Sequence, residues 1–167
     1  MKQPALIIIK PDAIRKKIVG NVMTKFAQTG LEIVAIRIVK MTRDIAEEHY
    51  IHLKNEPFFE ELVKYFCGQY HSEKKLITII YYGEEAIRKC RKMAGATNPE
   101  EADPESIRGS YGRITTAGLY ENVVHVSSDK KEAEREIKLW FEPEDITGDL
   151  YPTKIKIIKT HKKKVWA

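Results

Sequence analysis

The sequence has few of the features that mark membrane, secreted or fibrous proteins. Its two cysteines, Cys67 and Cys90, are too few for a disulfide framework, and they lack the spacing of a zinc knuckle. Nine glycines are far fewer than a collagen-like chain requires. No apolar run approaches the ~18–20 residues that cross a bilayer, and the run over residues 5–9 is too short for a signal peptide. We therefore expect a cytoplasmic globular protein with no membrane association.

Two phosphate-binding loops that are common in nucleotide enzymes are also missing. The sequence contains neither the Gly-rich loop that ends in Gly-Lys-Ser/Thr nor the Gly-x-Gly-x-x-Gly fingerprint. Any phosphate site in this chain must therefore be built largely from side chains.

The positive charge is modest and unevenly distributed. The chain has 29 Lys and Arg against 24 Asp and Glu, a formal charge of +5, which favours partners that carry phosphate. Six lysines and no acidic residue lie from Lys154 onward, so the chain before them is nearly neutral. We divide the chain into a domain over residues 1–153 and a basic C-terminal extension over residues 154–167. Isoleucines among these lysines predict an added edge strand in the extension.

The pattern of apolar residues predicts an alternation of strands and helices. Runs rich in β-branched residues predict strands over residues 5–9, 31–41, 76–82 and 122–127. Apolar residues at helical spacing predict a helix from residue 19 that Gly30 stops, and further helices over residues 44–53, 58–66, 84–93 and 129–140. Residues 95–118 are predicted to form a long loop with one helical turn. This order predicts a ferredoxin-like α+β sandwich with a four-stranded antiparallel sheet and surrounding helices.

Two local details of these elements are also predicted. Val34, Ile36 and Ile38 form an all-apolar set at a period of two, so we expect them to face the core. Asp129 is placed to cap the last helix, and Glu132 three residues later would complete a capping-box pair.

His125 is the histidine whose surroundings favour chemistry. Val124 and Val126 alternate with it in the fourth strand, and a helix N-terminus, which favours anions, follows directly. Glu136 borders the apolar stripe of that helix, where a carboxylate could orient one imidazole nitrogen and leave the other free to attack phosphate. The alternatives are a partly buried structural histidine and a glutamate paired with a surface Lys or Arg.

The other four histidines have ordinary interpretations. His49 and His52 lie in a charged helix, His71 lies in a polar turn, and His161 lies among the terminal lysines. None pairs with an acid or cysteine at a convincing metal-ligand spacing, so we expect no zinc site.

Four residues are candidates for binding phosphate. Lys10 ends the first strand and can point into a cleft beyond the sheet. Arg91 precedes the long loop, which contains Thr97 and Arg108. Two arginines and a hydroxyl could clamp adjacent phosphates. The alternative is solvated surface charge.

Seven short motifs carry a resemblance to a known family. They are IKPD at 9–12, EHY at 48–50, PFF at 57–59, GATNP at 95–99, SIRG at 106–109, NVVH at 122–125 and EREIKLWF at 134–141. In this order they resemble the nucleoside diphosphate kinases over roughly residues 5–144. The resemblance implies a ping-pong reaction in which His125 takes the γ-phosphate of a nucleoside triphosphate such as ATP, becomes phosphohistidine and passes the phosphoryl group to a nucleoside diphosphate. It also implies that Tyr50, Ser127 and Glu136 surround the ring of His125.

The resemblance implies nucleotide contacts as well. The implied residues are Lys10, Phe58, Leu62, Arg91, Thr97, Arg108 and Asn122. Lys10 and Asn122 would bind the ribose 3′-hydroxyl, with the lysine also reaching phosphate. The two arginines and the threonine would hold the phosphates, bridged by Mg²⁺ without protein ligands. The base would stack on Phe58 beside Leu62. Family chains assemble, so a homo-oligomer is implied, with a hexamer favoured over a tetramer or dimer.

The sequence departs from the family pattern at three positions and in two segments. Val126 and Ser128 stand where Gly and Asp are usual, and Ser110 stands where Asp is common. Residues 67–75 and 115–121 form longer segments than usual. A β-branched residue is unfavourable wherever φ must be positive, so Val126 indicates either a slightly different backbone or no need for glycine.

Two other functions stay open at this point. A ferredoxin-like nucleic-acid-binding module would require surface-strand aromatics, and Tyr81 and Tyr82 in the third strand lack that consensus. A catalytically weakened scaffold would rest on Val126 and Ser128. Because all the residues implied in phosphoryl transfer are present, we expect kinase activity that does not require nucleic acid.

Overall fold

Four strands form the main sheet of the computed structural model, which describes residues 1–155. In chain order the strands of the molecule are β1 (Lys2–Ile9), β2 (Glu32–Lys40), β3 (Lys75–Glu84), β4 (Arg113–Ile114), β5 (Tyr120–Glu121) and β6 (Val124–Val126). The main sheet has the order β2-β3-β1-β6, and every neighbouring pair is antiparallel. The four-stranded antiparallel sheet predicted from the sequence is therefore confirmed.

Helices cover both faces of this sheet. They are α1 (Pro11–Arg15), α2 (Val19–Ala27), α3 (Arg43–His49), α4 (Phe59–Phe66), α5 (Ala86–Ala94), α6 (Ile107–Tyr111) and α7 (Lys130–Trp140). One face carries a core with residues of α2 and α5, and the other carries a core with residues of α3, α4 and α7. This arrangement confirms the α+β sandwich. No helix among residues 1–155 is long and apolar enough to cross a membrane.

The central strand β1 explains how one apolar run supports two cores. Ala5, Ile7 and Ile9 face the α2/α5 core, and Leu6 and Ile8 face the opposite one. All five side chains are fully buried. A strand that is buried on both faces needs a continuous apolar sequence, which is what residues 5–9 provide. Its partner β6 pairs with the C-terminal end of β1, with His125 opposite Ile8.

The prediction for the buried face of β2 is wrong. Val34 is buried as expected, but Ile36 and Ile38 are 50% and 72% exposed. The register against β3 shifts between Ile33 and Ala35, so Val34 and Ala35 both join the α3/α4/α7 core. A bulge of this kind exchanges the faces of all the residues that follow it. The two isoleucines therefore lie on the solvent-exposed surface of β2, which is an edge strand of the sheet.

Several helix boundaries differ from the sequence prediction. The helix predicted over residues 44–53 ends at His49, and a separate 3-10 turn spans Ile51–Leu53. Asp129 does cap α7, because its Oδ1 accepts from the backbone N–H groups of Lys131 and Glu132. The side chain of Glu132 bonds Arg135 instead, so the capping-box half of the prediction is wrong.

The segment predicted as a long loop contains more structure than expected. It holds the 3-10 turn Pro99–Glu101, helix α6 and the first strand of the β4–β5 hairpin. Beyond α7 the chain packs on the α3/α4/α7 core as far as Tyr151, and the Thr147 N–H donates to Val34 O at 2.9 Å. The edge strand predicted for the basic extension lies outside the described residues apart from its first positions.

Candidate active site

A cavity of about 640 Å³ opens beside the C-terminal end of β1 and the strand β6. The sequence-predicted residues that line it are Lys10, Tyr50, Phe58, Leu62, Arg91, Thr97, Arg108, Asn122, His125 and Glu136. The remaining predicted residue, Ser127, is fully buried behind them. The fold therefore brings together residues from the ends of β1 and α3, from α4 and its N-cap, from α5 and the loop after it, and from α6, β6 and α7.

His125 and Glu136 form the central contact of this cavity. The His125 Nε2 and the Glu136 Oε1 are 2.7 Å apart, and Ser127 Oγ donates to Glu136 Oε2 at 2.6 Å. The Glu136 side chain is 1% exposed, whereas that of His125 is 18% exposed toward the cavity. Burial raises the pKa of Glu136, but the charge of His125 and the hydrogen bonds from His125 and Ser127 outweigh it and lower the pKa overall. An ionised carboxylate at Nε2 holds the proton there, so the lone pair lies on Nδ1.

A strained residue precedes the histidine strand. Val123 has a φ of +70°, a left-handed conformation that a β-branched side chain adopts at a cost. The buried carboxylate of Asp12 accepts from the Val123 N–H at 3.0 Å, and the Lys10 N–H donates to Val123 O at 2.8 Å. These bonds hold Val123 between Asn122 and His125. The strain therefore lies where two site residues face the same cavity.

Lys10 is buried among aromatic rings at the bottom of the cavity. Its Nζ donates to Asn122 Oδ1 at 2.6 Å and lies 5.3 Å and 5.1 Å from the ring centres of Tyr65 and Phe66. Burial lowers the pKa of Lys10 to about 8, although the charge of Asp12 opposes this shift. The Asn122 amide also donates to a backbone carbonyl, Thr97 O, at 2.9 Å. A lysine whose charge is only partly compensated suits an anionic ligand.

Two arginines give the cavity a second cationic wall. Arg108 donates to Gly95 O at 2.8 Å and to Val124 O at 2.9 Å, which ties α6 to the loop and to β6. Burial, followed by repulsion from Arg91, lowers the pKa of Arg108 to about 10. Gly95 is required here, because a Cβ on it would lie 2.2 Å from Ser106 Oγ. Two cations that line one cavity and repel each other favour the binding of a doubly or multiply charged anion.

The mouth of the cavity is apolar and more open. Phe58 is 51% exposed at the start of α4, and Leu62 lies one turn further along the same helix. The β4–β5 hairpin contributes Leu119 and Tyr120 to the same cavity. The sequence prediction noted only that this segment is longer than usual. The hairpin was missed because its strands are two residues each, too short for a period to show.

His49 was interpreted wrongly from the sequence. It is fully buried, and its ring centre lies 4.6 Å from that of His125. Trp140 Nε1 donates to His49 Nδ1 at 3.2 Å. The signal that could have located it is helical spacing, since Ala46, His49 and Tyr50 lie on the buried face of α3 and its C-cap.

The donor groups in the cavity do not form a ready-made cation site. Ring nitrogens of His49 and His125 and a carboxylate oxygen of Glu136 lie within 4.8 Å of one another. Trp140 occupies one nitrogen of His49, and Glu136 is shared by His125 and Ser127. The other carboxylate that lines the cavity, Glu132, is bonded by Arg135. Among the described residues the cavity is therefore equipped for an anion.

Comparisons with known proteins agree with this geometry. The family model described as nucleoside diphosphate kinase matches residues 3–146. A nucleoside diphosphate kinase of Pyrococcus furiosus is 41% identical over 141 residues, which cover 84% of this chain and 84% of the relative. A transition-state mimic of the Borrelia burgdorferi enzyme with bound vanadate and ADP matches with a TM-score of 0.78 and 29% identity, over 89% of this chain and 92% of that one. A halophilic nucleoside diphosphate kinase of Halobacterium salinarum in complex with CDP matches with a TM-score of 0.79 and 28% identity, over 89% of this chain and 93% of that one.

A family match over most of the chain, an extensive sequence identity and a shared fold thus lead to the same assignment: the chain belongs to the nucleoside diphosphate kinase family.

Proposed function

We propose that His125 is the phosphorylated nucleophile in the nucleoside diphosphate kinase reaction of this chain. The observation that carries the proposal is the 2.7 Å contact between His125 Nε2 and a buried, ionised Glu136. It leaves the Nδ1 lone pair free to form a bond to the γ-phosphorus of a nucleoside triphosphate. As the N–P bond forms, the bond to the β–γ bridging oxygen breaks and a nucleoside diphosphate leaves.

The second half of the reaction reverses these steps with another nucleotide. A terminal β-phosphate oxygen of a nucleoside diphosphate attacks the phosphorus, and the electron pair of the N–P bond returns to Nδ1. The proton on Nε2 remains with Glu136 as its partner throughout. Phosphoryl transfer depends mainly on positioning and charge stabilisation, which is the work of the residues around the histidine.

The cationic walls of the cavity supply that charge stabilisation. Arg91 and Arg108 would hold the phosphates together with the Thr97 hydroxyl, and Lys10 with Asn122 would bind the ribose 3′-hydroxyl. Mg²⁺ would be bound by the phosphates themselves and would lower their charge during transfer. Because the carboxylates of the cavity are already bonded to side chains, the cavity fits a cation that arrives with the phosphates better than a cation bound by the protein itself.

The apolar mouth is the place for the base. Phe58 offers an exposed aromatic face, Leu62 lies one helical turn further along, and Leu119 lines the same cavity. Stacking does not depend on the identity of the base, which suits an enzyme that accepts several nucleotides. The family relative that carries CDP and the one that carries ADP agree with this choice.

The departures from the family pattern leave the central contact intact. Val126 has no positive φ and is buried in the core, so glycine is not required at its position. Ser128 Oγ donates to the capping residue Asp129 at 2.9 Å, and Ser110 Oγ donates to Pro104 O at 2.8 Å. We therefore favour an active enzyme over a weakened scaffold. Tyr81 lies in the core beneath helices, which argues against an RNA-recognition surface on the sheet.

We also propose that the chain forms a homo-oligomer in the cytoplasm, with a hexamer favoured over a tetramer or a dimer. Ile36 and Ile38 expose apolar surface on the edge strand β2, where a second copy could bury it. The free thiols Cys67 and Cys90 suit a reducing compartment. Light scattering of the wild type and of an Ile38→Lys variant would measure the mass of the assembly. The same mass in the two proteins would contradict the role of β2.

The nucleophile is tested by labelling with γ-phosphate-labelled ATP and Mg²⁺. The wild type should form an acid-labile, base-stable phosphoenzyme that transfers its label to GDP or dTDP. His125→Ala should form none, while His52→Ala, which changes an exposed histidine of the same cavity, should still be labelled. Equal labelling of the wild type and His125→Ala would overturn the proposal.

A further inference from the structure

We propose that His49 is a positioning residue for His125, a neutral imidazole that Trp140 fixes in one tautomer and that holds the nucleophile's ring for phosphoryl transfer. The inference rests on the proposed function of His125 and deepens it.

The contact between the two imidazoles restrains a motion that Glu136 leaves free. A single hydrogen bond between His125 Nε2 and Glu136 fixes one atom of the ring but allows the ring plane to turn about that bond. His49 packs against His125 with ring centres 4.6 Å apart and an interplanar angle of 79°. Tyr50 packs on His49 in turn, at 4.5 Å and 74°. The edge-to-face contact therefore sets the plane in which Nδ1 points toward the cavity.

Trp140 determines where His49 carries its proton. An indole N–H can only donate, so His49 Nδ1, 3.2 Å away, must accept. Burial lowers the pKa of His49 well below its ordinary value, and the charges of His125 and Arg135 lower it further. The ring is therefore neutral, and its single proton lies on Nε2.

Helix α7 supports both imidazoles from one face. Glu136 and Trp140 are one helical turn apart, so their side chains lie on the same side of the helix. Arg135 on the same helix donates to Glu48 O at 3.0 Å and to His49 O at 2.8 Å, which ties the end of α3 to α7. One rigid element thus orients His125 directly through its carboxylate and indirectly through its indole.

The neutrality of His49 matters for the phosphorylated state. Attack by Nδ1 places a phosphoryl group on a ring that keeps its Nε2 proton, so positive charge develops on His125 next to Glu136. A protonated His49 at this distance would repel that charge, whereas a neutral ring leaves the stabilisation by Glu136 unopposed.

A purely structural role does not explain a histidine at this place. The Nε2 of His49 is buried and has no hydrogen-bond partner among the described residues. Replacing His49 and Trp140 together by apolar rings would fill the same space with no buried, unpaired donor, and packing alone would favour such a pair. The polar ring is explained if its Nδ1 is needed to fix a ring orientation that His125 depends on.

The test compares Trp140→Phe and His49→Phe with the wild type by rapid-quench labelling of His125 with ATP and Mg²⁺. Trp140→Phe removes the indole donor and should slow phosphoryl transfer about tenfold, as expected for the loss of a supporting contact. His49→Phe should slow it about 100-fold, since small displacements of a reacting group have effects of this size. In both variants the ATP concentration that gives the half-maximal labelling rate should stay within about twofold of the wild-type value.

Two controls separate positioning from stability. Phe26→Leu changes a fully buried aromatic in the core on the other face of the sheet, and it should lower the melting temperature without slowing labelling. Histidine-selective ¹⁵N NMR should show His49 as the neutral Nε2–H tautomer in the wild type and as a mixture in Trp140→Phe. A protonated or Nδ1–H form of His49 in the wild type would overturn the inference.

The outcomes also separate this inference from the proposed function. If both variants were labelled at the wild-type rate, or if their ATP affinity fell as much as their labelling rate, the role of His49 would be overturned. His125 would remain the nucleophile in either case. Absence of label on His125 in the wild type would instead overturn the proposed function, and the positioning role with it.

Discussion

The two ends of the cavity are built in opposite ways. At the chemical end the carboxylate of Glu136 is 1% exposed and accepts bonds from two side chains at 2.6–2.7 Å. At the end proposed to bind the base, Phe58 is 51% exposed and a short hairpin contributes to the same cavity. Buried, paired polar groups hold one geometry, whereas an open apolar surface accepts ligands of different shape. We therefore expect one molecule to combine a single reaction with a broad range of bases, and four changes test this contrast.

The largest effect should follow from changing the buried carboxylate. Glu136→Gln keeps the shape of the side chain but removes its charge, so the developing positive charge on His125 loses its partner. We expect phosphorylation of His125 to slow by at least about 100-fold, because the charged partner of a catalytic histidine both orients the ring and stabilises its developing charge. Rapid-quench labelling measures the rate, and equilibrium binding of ADP should change less than about twofold. A parallel loss of ADP affinity would contradict an orienting role for Glu136.

The lysine at the bottom of the cavity should make nucleotide binding depend on pH. In the proposed function the charged Lys10 binds the ribose hydroxyl and also reaches phosphate. Burial lowers its pKa to about 8, so we expect ADP affinity to fall as the pH rises above that value. The free energy of unfolding should move the other way. Unfolded chains keep this proton up to about 10.5, so between the two values the unfolded state binds more protons and stability rises with pH.

Titration calorimetry with ADP and urea unfolding, each on both sides of pH 8, measure these two trends. Lys10→Met is the matched control, because it removes the titrating group and should flatten both curves. An ADP affinity that stays constant across this range in the wild type would show that the charge of Lys10 does not contribute to binding.

At the open end of the cavity a substitution should have a smaller effect on activity, and the effect should be similar for nucleotides with different bases. Phe58→Ala removes a stacking surface, and the KM for nucleoside diphosphates should rise about tenfold with little change in kcat. Steady-state assays with GDP, CDP and dTDP measure this, with Tyr70→Ala as a control on another exposed aromatic. A loss confined to one base would show that Phe58 selects among nucleotides.

The smallest effect is expected from the basic C-terminal extension. All the proposed site residues precede it, so removal of residues 154–167 should change kcat and KM by less than about twofold. The same assays, together with a thermal melt, measure this. A large loss of activity would show that part of the extension contributes to the open end of the cavity.

The sequence predicted those parts of the molecule that depend on local pattern. The run of residues 5–9 identified a doubly buried strand, and alternation around His125 placed the valines inward and the histidine toward the cavity. The bulge in β2 could not be predicted, because one added residue changes the faces without changing the composition. The position of His49 against His125 depends on packing between α3 and β6, elements far apart in the sequence, and no local pattern encodes it.

The spacing of Glu136 and Trp140 on α7 also limits how this chain can vary. Each residue turns a helix by about 100°, so one inserted or deleted residue between these positions would swing the indole away from His49 while the carboxylate stayed in place. The turn of the β4–β5 hairpin lies at the rim of the cavity, away from the contact between Trp140 and His49. Insertions and deletions in related sequences should therefore occur mainly before Asn122 and after α7. The interval from Glu136 to Trp140 should keep its length.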